Sequence, residues 1–472
     1  MKRKLAAFAA AAALIAGLAP VYANDAGSGR TLLGTIPAAK LPVAPTPQFA
    51  DPFAYPPMVT GKTREWTVMV FMSAKNNAAD VITENFRQLE NIGSTEEVAI
   101  VAEVGKINWP DDDDFQSGSK RIFVTRNPEH SRLRTVVMQE KKDSDMGDWR
   151  EMADFAVWAK AKFPARHYAL IVVNHGTGWR SAYSGIFPLN KPLTDDIGRK
   201  GEYQMAGISY DTQTGNHITT VEMGAALSKI GHLDIYAADA CLMQDAASDY
   251  EIARYADFIV ASEELEPGAG YDYEGIMKKL ADSPNISAES FAGHIVAANA
   301  AFYEADPERY TRDTRDKLEG FTLSAVKAPA LEGLAKLLDD FAKIALKSGD
   351  LSVIKFAVKN ALTFKQDTDS RDLFSFMSLI AAKSVDLPLH DKAREIMHYI
   401  TRNLVAANAT VGERYHGKVH GIAVYLPLRS GSYDKSFDFL KLAKDTDWGR
   451  LCSAITEKKL FFPQIFANPA SK

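Results

Sequence analysis

The chain has 472 residues, is 46% hydrophobic and carries a formal net charge of −5. That composition is a globular protein's, and the length suits roughly two or three domains, or one large domain with additions. The charge is mild and forms no basic stripe, which leaves nucleic-acid binding without support.

The first residues read MKRKLAAFAAAAALIAGLAPVYANDAG. Lys2, Arg3 and Lys4 give a positive start, an apolar stretch runs from Leu5 to Leu18, and Val21 and Ala23 are the small residues that precede a cut. This predicts a secretory signal peptide over residues 1–23, cleaved after Ala23, and hence a secreted or periplasmic protein. The stretch is short for a membrane span, an uncleaved anchor helix being the alternative, and no later stretch is long and apolar enough to span. Residues 24–61 are proline-rich and aperiodic, which predicts an extended leader or pro-segment, because proline blocks helix and interior strand.

WTVMVFMSA (Trp66–Ala74) is the continuous apolar run of a fully buried strand. A helix should follow, with Ile82, Phe86, Leu89 and Ile92 on one face. VAIVAEV (Val98–Val104) is a second strand, and RIFVTR with LRTVVMQE predicts a hairpin at the sheet edge. The run Asp111–Asp114 reads as a solvated loop or, alternatively, a calcium site. WREMADFAVWAKAKF is a helix, and HYALIVVNHG (His167–Gly176) a third buried strand ending in Asn-His-Gly. A polar stretch runs from about Ser181 to Gln204, and Thr219 and Glu222 then have capping-box spacing at a helix start. LDIYAADAC is a fourth strand with the helix LMQDAASDYEIARYA behind it, and DFIVASEE (Asp257–Glu264) a fifth. From about Ser287 the chain turns mostly helical, interrupted by the late strand HGIAVYLPL (His420–Leu428).

Strands alternating with helices predict an α/β fold whose mainly parallel sheet is covered on both faces, with ligands at the carboxyl ends of the strands. Three polar clusters then converge on one rim: Asn174-His175-Gly176, Asp239-Ala240-Cys241 and Ser262-Glu263-Glu264. The division expected is a core over residues 62–304 and a helical region over 305–472, whose strand at 420–428 is a candidate to join the core.

Cys241 and Cys452 are the chain's two cysteines, too few for a disulfide framework or a zinc site. A single bridge between them is one alternative, since exported proteins can form disulfides. The other is that Cys241 is a nucleophile. A cysteine attacks a carbonyl as thiolate and needs a histidine as base or ion-pair partner, with backbone amides to hold the oxyanion. Read at a strand-to-helix junction, Cys241 would gain from the helix N-terminus. His175 supplies the imidazole, and Gly176 leaves its amide open to close approach. A small buried cysteine and a structural histidine are the plain alternatives, and spacing alone does not decide between them.

WTVMVFMSAKNN, HYALIVVNHGTGW, DIYAADACLMQ and VASEELEPGAGYDYEGI occur in that order. Together they resemble the clostripain family of cysteine peptidases over about Trp66 to Ile276, and GIAVYLP resembles a late strand of that family. The resemblance implies the caspase-like three-layer αβα sandwich shared with gingipains, legumain, caspases and separase. It implies catalytic His175 and Cys241, with an oxyanion hole from the amides of Gly176 and Cys241. It also implies cleavage after Arg or Lys, with Asp239 as the acid that receives the basic side chain. Asp272 is a second candidate for that acid, and Glu263 and Glu264 are further ones. Ser262 and its neighbours are expected to line a strand edge along which a peptide extends. Family zymogens imply autocatalytic cleavage between the His and Cys segments, at Lys191, Arg199 or Lys200, with Arg180 a lesser candidate. The partners implied are peptide or protein substrates. No cofactor is required, and calcium enters only through the resemblance. Lys75 is a departure, since the family usually has an acid before the paired asparagines. Two readings compete: a secreted, non-catalytic binding protein on the same fold, and a caspase-like peptidase or transpeptidase of non-basic specificity. The intact His175/Cys241 pair argues against the first.

Overall fold

A computed structural model describes residues 61–107, 117–130, 136–180, 205–311, 319–348, 351–364 and 369–457. The segments expected to be a signal peptide and a leader, apart from residue 61, lie outside these residues, as do Asp111–Asp114 and the segment with Lys191, Arg199 and Lys200. The chain begins with β1 (Arg64–Ala74), α1 (Ala79–Ile92), β2 (Val98–Ile107), β3 (Ser117–Phe123), β4 (Val136–Lys141), α2 (Trp149–Lys162) and β5 (Ala165–Val173). It continues with β6 (Gly207–Asp211), β7 (Asn216–Thr219), α3 (Thr220–Ile230), β8 (Leu233–Asp239), α4 (Ala246–Ile252), β9 (Ala256–Ala261), α5 (Tyr273–Asp282) and α6 (Ala288–Ala305). The remainder supplies α7 (Glu308–Thr311), β10 (Phe321–Lys327), α8 (Leu331–Ser348), α9 (Ser352–Asn360), β11 (Ser370–Asp372), α10 (Leu373–Lys383) and α11 (Leu387–Tyr399). Then come β12 (Val405–Val411), β13 (Ala423–Tyr425), α12 (Lys441–Asp445) and α13 (Trp448–Thr456).

Among the described residues, nine strands form one sheet in the order β12-β10-β9-β8-β5-β1-β2-β3-β4. The five from β9 to β2 are parallel. The β3–β4 hairpin extends one edge antiparallel, as the sequence predicts, and β10 and β12 extend the other. Side chains alternate along β1 as a strand's geometry requires. Met69 and Phe71 enter the core under α2, α3, α4, α8, α10, α11 and α13, while Trp66, Val68, Val70 and Met72 enter the core under α1, α5 and α6. Each such fully buried side chain is worth about 1.5–3 kcal/mol. On α1, Ile82 and Leu89 are buried, and Phe86 and Ile92 pack against the same core. The capping box of α3 is present with both reciprocal bonds, Glu222 N–H to Thr219 Oγ1 at 3.2 Å and Thr219 N–H to Glu222 Oε2 at 2.9 Å.

Two expectations change in the C-terminal third. Strands β10 and β12 carry the sheet across the division drawn at residue 304. The late strand shrinks to β13, which pairs with β11 in a separate two-stranded sheet and does not join the main one. The sheet edge beside β9 is already filled by β10, with Ser324 opposite Ala261. After β13, Leu426 N–H turns to Asp369 O at 2.7 Å, and Pro427 has no N–H to extend a ladder.

The chain leaves β1 toward β2 on one side and later adds β5, β8 and β9 on the other. That reversal opens a crevice at the carboxyl ends of β1 and β5, the usual place for a ligand in such a sheet.

Candidate active site

Val173 and Asp239, the last residues of β5 and β8, are register partners. The two chains leave the sheet in step, Asn174 N–H donating to Asp239 O at 3.2 Å. His175 and Cys241 therefore stand at matching positions, each two residues beyond its strand. Gly176 makes the closeness possible. A Cβ there would lie 2.7 Å from the Cys241 carbonyl oxygen and 2.9 Å from Ala240 Cβ, so a larger residue would push the two loops apart.

His175 is oriented from across the crevice. Its Nε2 donates to Oδ1 of Asn77, in the β1–α1 loop, at 2.8 Å. With the proton on Nε2, the neutral ring carries its lone pair on Nδ1. Asn77 was visible in the sequence only as half of an asparagine pair. Its neighbour Asn76 is structural, donating to Tyr210 O at 2.6 Å and accepting from Ala78 N–H at 2.9 Å. Lys75 is buried, donates to Ser144 O and pairs with Asp211 at 3.5 Å. The charge of this lysine is neutralised inside the fold.

Burial lowers the His175 pKa to about 4. Burial also raises the Cys241 thiol to about 12, with the charges of Glu264 and Asp239 adding to it and the N–H of Glu266 opposing it. The resting pair is thus a neutral thiol and a neutral imidazole, not an ion pair. The help expected from a helix N-terminus is absent. Helix α4 starts only at Ala246, capped by Asp245, whose carboxylate accepts from Ala247 N–H at 2.9 Å. The residues between are pinned as a loop: Leu242 N–H reaches Glu264 O at 3.1 Å, and Gln244 N–H reaches Ser262 O at 2.9 Å. Leu242 adopts φ 61°, a left-handed conformation that costs about 1–2 kcal/mol beside Cys241. What stabilises a developing thiolate is the N–H of Glu266, which donates to Cys241 Sγ at 3.2 Å.

Of the acids singled out in sequence, Asp239 is buried next to Cys241. It accepts from Tyr273 Oη at 2.7 Å and Tyr271 N–H at 3.2 Å, and burial raises its pKa. Glu266, not foreseen as a site residue, lies beside it. Asp272 caps α5, accepting from Gly275 N–H at 3.0 Å. Glu263 accepts from Gly421 N–H at 3.0 Å and faces a cavity shared with Arg180, Asp245 and Ser370. Glu264 accepts from Leu265 N–H at 2.8 Å and from the Tyr415 hydroxyl. Ser262 is corrected: β10 covers that edge of β9, and the fully buried Ser262 hydroxyl lies 2.9 Å from Thr322 Oγ1 and 3.0 Å from Glu264 O.

Cys241 and Cys452 are both free thiols, so the bridge between them is not formed. Among the described residues, no group of three or more His, Cys, Asp or Glu is placed to hold a metal ion. Among the same residues, no helix is long and apolar enough to cross a membrane.

Clostripain of Hathewaya histolytica is 23% identical over 235 residues, 46% of this chain and 43% of that protein, so the match spans less than half of either. A secreted C11 cysteine protease from Bacteroides thetaiotaomicron, solved with an irreversible peptide inhibitor, aligns with a TM-score of 0.58. The identity is 19%, over 82% of this chain and 99% of that one. An inactive zymogen C11 protease from Parabacteroides distasonis gives 0.55 at 17% identity, over 82% and 99%. At such identities the likeness carries the fold alone. The model of the clostripain family matches residues 70–452, a span that runs through both the His175 and the Cys241 segments and into α13, and the chain belongs to this family of cysteine peptidases.

Proposed function

We propose that the protein is an exported cysteine endopeptidase that hydrolyses peptide bonds after Arg or Lys with His175 and Cys241. The observation that carries this reading is the register of β5 and β8, which brings His-Gly and Cys to one rim with the buried Asp239 carboxyl two residues before the thiol. A basic side chain entering beside Cys241 would find that carboxylate as its partner. Export rests on residues 1–23, and the secreted Bacteroides relative supports it.

The resting pair is neutral, so proton transfer accompanies attack. As the scissile carbonyl carbon meets Sγ, the thiol proton passes to Nδ1 of His175 and the S–C bond forms. The carbonyl π electrons move to oxygen, where the amides of Gly176 and Cys241 hold the charge. The imidazolium then protonates the leaving nitrogen, the C–N bond breaks, and a thioester remains on Cys241. Water, giving a proton to His175, attacks the thioester; the sulfur leaves and recovers that proton. Asn77 keeps the ring in the required tautomer throughout.

The test compares wild type with Cys241→Ala on peptides carrying Arg, Lys, Asp or Asn before the cut. Wild type should cleave after Arg and Lys, and the variant should cleave nothing. Equal activity in both proteins ends the dyad assignment, and cleavage only after Asp or Asn ends the basic specificity. Autocatalytic activation follows from the same specificity, with Lys191, Arg199 and Lys200 as the cut sites; the relative described as an inactive zymogen supports it. Mass spectrometry of active protein should find two chains, and an active intact chain contradicts the processing.

A further inference from the structure

Two buried carboxyl groups face each other beside the nucleophile, Asp239 at the end of β8 and Glu266 in the loop after β9, and each acts on the other's ionisation. Glu266 is tied in place by its own N–H, which donates to Cys241 Sγ at 3.2 Å. Both Glu266 carboxyl oxygens are shut off from solvent, and neither meets a donor. Nearby hydroxyls are already committed: Tyr271 donates to Ala238 O at 2.9 Å, Tyr273 to Asp239 at 2.7 Å and Tyr303 to Gly270 O at 2.6 Å. The titratable groups around the pair are Cys241 after β8, Tyr236 within β8, Tyr271 and Tyr273 at the start of α5, and Tyr303 from α6. From α1 come two neutral side chains, Asn85, which donates to Ala269 O at 3.0 Å, and Gln88, whose Oε1 accepts from Tyr273 N–H at 3.0 Å. Arg309 acts on Tyr303, but no cation is among the groups acting on either carboxyl. A Cβ at Gly270 would lie 3.0 Å from Asn85 Oδ1 and 3.1 Å from Asp239 Oδ2, so a side chain there would crowd Asp239.

Two adjacent buried carboxylates cannot both stay ionised without a positive partner, so one of them holds a proton. That proton can also donate from one carboxyl to the other and satisfy an oxygen that otherwise has no donor. A cation placed between them would make the proton unnecessary. We propose that Asp239 and Glu266 together form the floor that binds the substrate's basic side chain, sharing one proton while the pocket is empty and releasing it to solvent when a guanidinium or ammonium group enters. This rests on the Arg/Lys reading above and adds Glu266 and a proton exchange to it. Proton and cation then compete. Burial raises both carboxyls above the ordinary range, so the competition reaches a pH at which a lone aspartate would already be ionised. Affinity for a cation therefore rises with pH and levels off once the pair loses its proton unaided.

The experiment measures competitive inhibition of the active enzyme by N-acetyl-arginine amide and by its neutral isostere N-acetyl-citrulline amide. It runs from about pH 5 to about pH 9, where the guanidinium keeps its charge. In wild type the inhibition constant of the arginine amide should fall by up to about tenfold per pH unit toward a plateau, while the citrulline amide shows no such slope. Glu266→Gln should flatten the arginine profile and weaken plateau binding about tenfold, as befits loss of one charge-assisted contact. Independently of any variant, binding of the arginine amide to wild type in weak buffer should release close to one proton at the acid end of the range. Tighter binding of arginine than citrulline with a flat wild-type profile and no proton release overturns the shared proton and leaves the basic pocket standing. Equal binding of the two amides at every pH overturns the basic pocket itself.

Discussion

The two groups of buried acids around the Cys241 loop differ in their supply of hydrogen-bond donors. In one, every carboxyl has at least one donor in the fold, although Glu263 Oε1 meets none. Asp372 accepts from Ser375 N–H at 2.6 Å and His420 N–H at 2.7 Å, Asp245 caps α4, Asp249 accepts from the Gln244 side-chain amide at 2.6 Å, and Glu263 accepts from Gly421 N–H at 3.0 Å. In the other, Asp239 has the Tyr271 amide and the Tyr273 hydroxyl, while neither Glu266 oxygen meets a donor. Both groups are buried, and Asp249 and Glu263 in the first have pKa values pushed upward just as Asp239 and Glu266 do in the second, so burial alone does not distinguish them. The difference teaches that carboxylates supplied by backbone amides hold loops together, whereas an undersupplied pair next to a nucleophile suits an incoming cation.

Substitutions can break that contrast or sharpen it. The largest effect is expected from Asp239→Ala, which should lower kcat/KM for Arg and Lys peptides by on the order of 10³-fold, because a buried charged contact would be lost. Peptides with neutral residues at that position should change little. A uniform loss over all peptides would move Asp239 into the structural group. Asp372→Ala should do the opposite. Losing the α10 cap and the His420 amide contact should cost about 2–4 kcal/mol in urea unfolding, with the preference for Arg unchanged. A changed preference without lost stability would erase the distinction between the two groups.

Smaller effects bear on the dyad that the acids surround. Asn77→Ala should lower kcat about tenfold with KM nearly constant, since it loosens the His175 ring without touching the pocket. His175 must be neutral to take the thiol proton, and burial places its pKa at about 4. The acid limb of kcat should therefore fall near that pH, with activity retained as pH drops through the usual histidine range; a limb near pH 6.5 would mean that the ring is not desolvated in the complex. Far from the site, Glu222→Ala should cost about 1 kcal/mol by opening the capping box of α3, with no kinetic change.

Much of this was legible in the sequence where local rules govern. Continuous apolar runs marked β1, β5 and β8, because strands covered on both faces need no polar alternation. Thr219 and Glu222 marked a helix start through contacts three residues apart. What stayed hidden depends on partners distant in the chain. The edge of β9 looked open to a peptide, but a strand some sixty residues further on fills it, Thr322 meeting Ser262. Leu242 and Met243 read as the start of a helix, yet their loop is held by the carbonyls of Glu264 and Ser262 until Asp245 provides a cap. Asn77 and Glu266 gave no signal of their own. One is defined by reaching across the switch between β1 and β5, the other by facing Asp239 from a separate loop.

The most direct measurement compares kcat/KM of the wild-type enzyme for one peptide with arginine before the cut and for the same peptide with citrulline there. The two side chains match in shape and differ in charge. Arginine should be favoured on the order of 10³-fold if His175 and Cys241 act above a carboxylate floor. Equal rates for the two peptides would contradict the account.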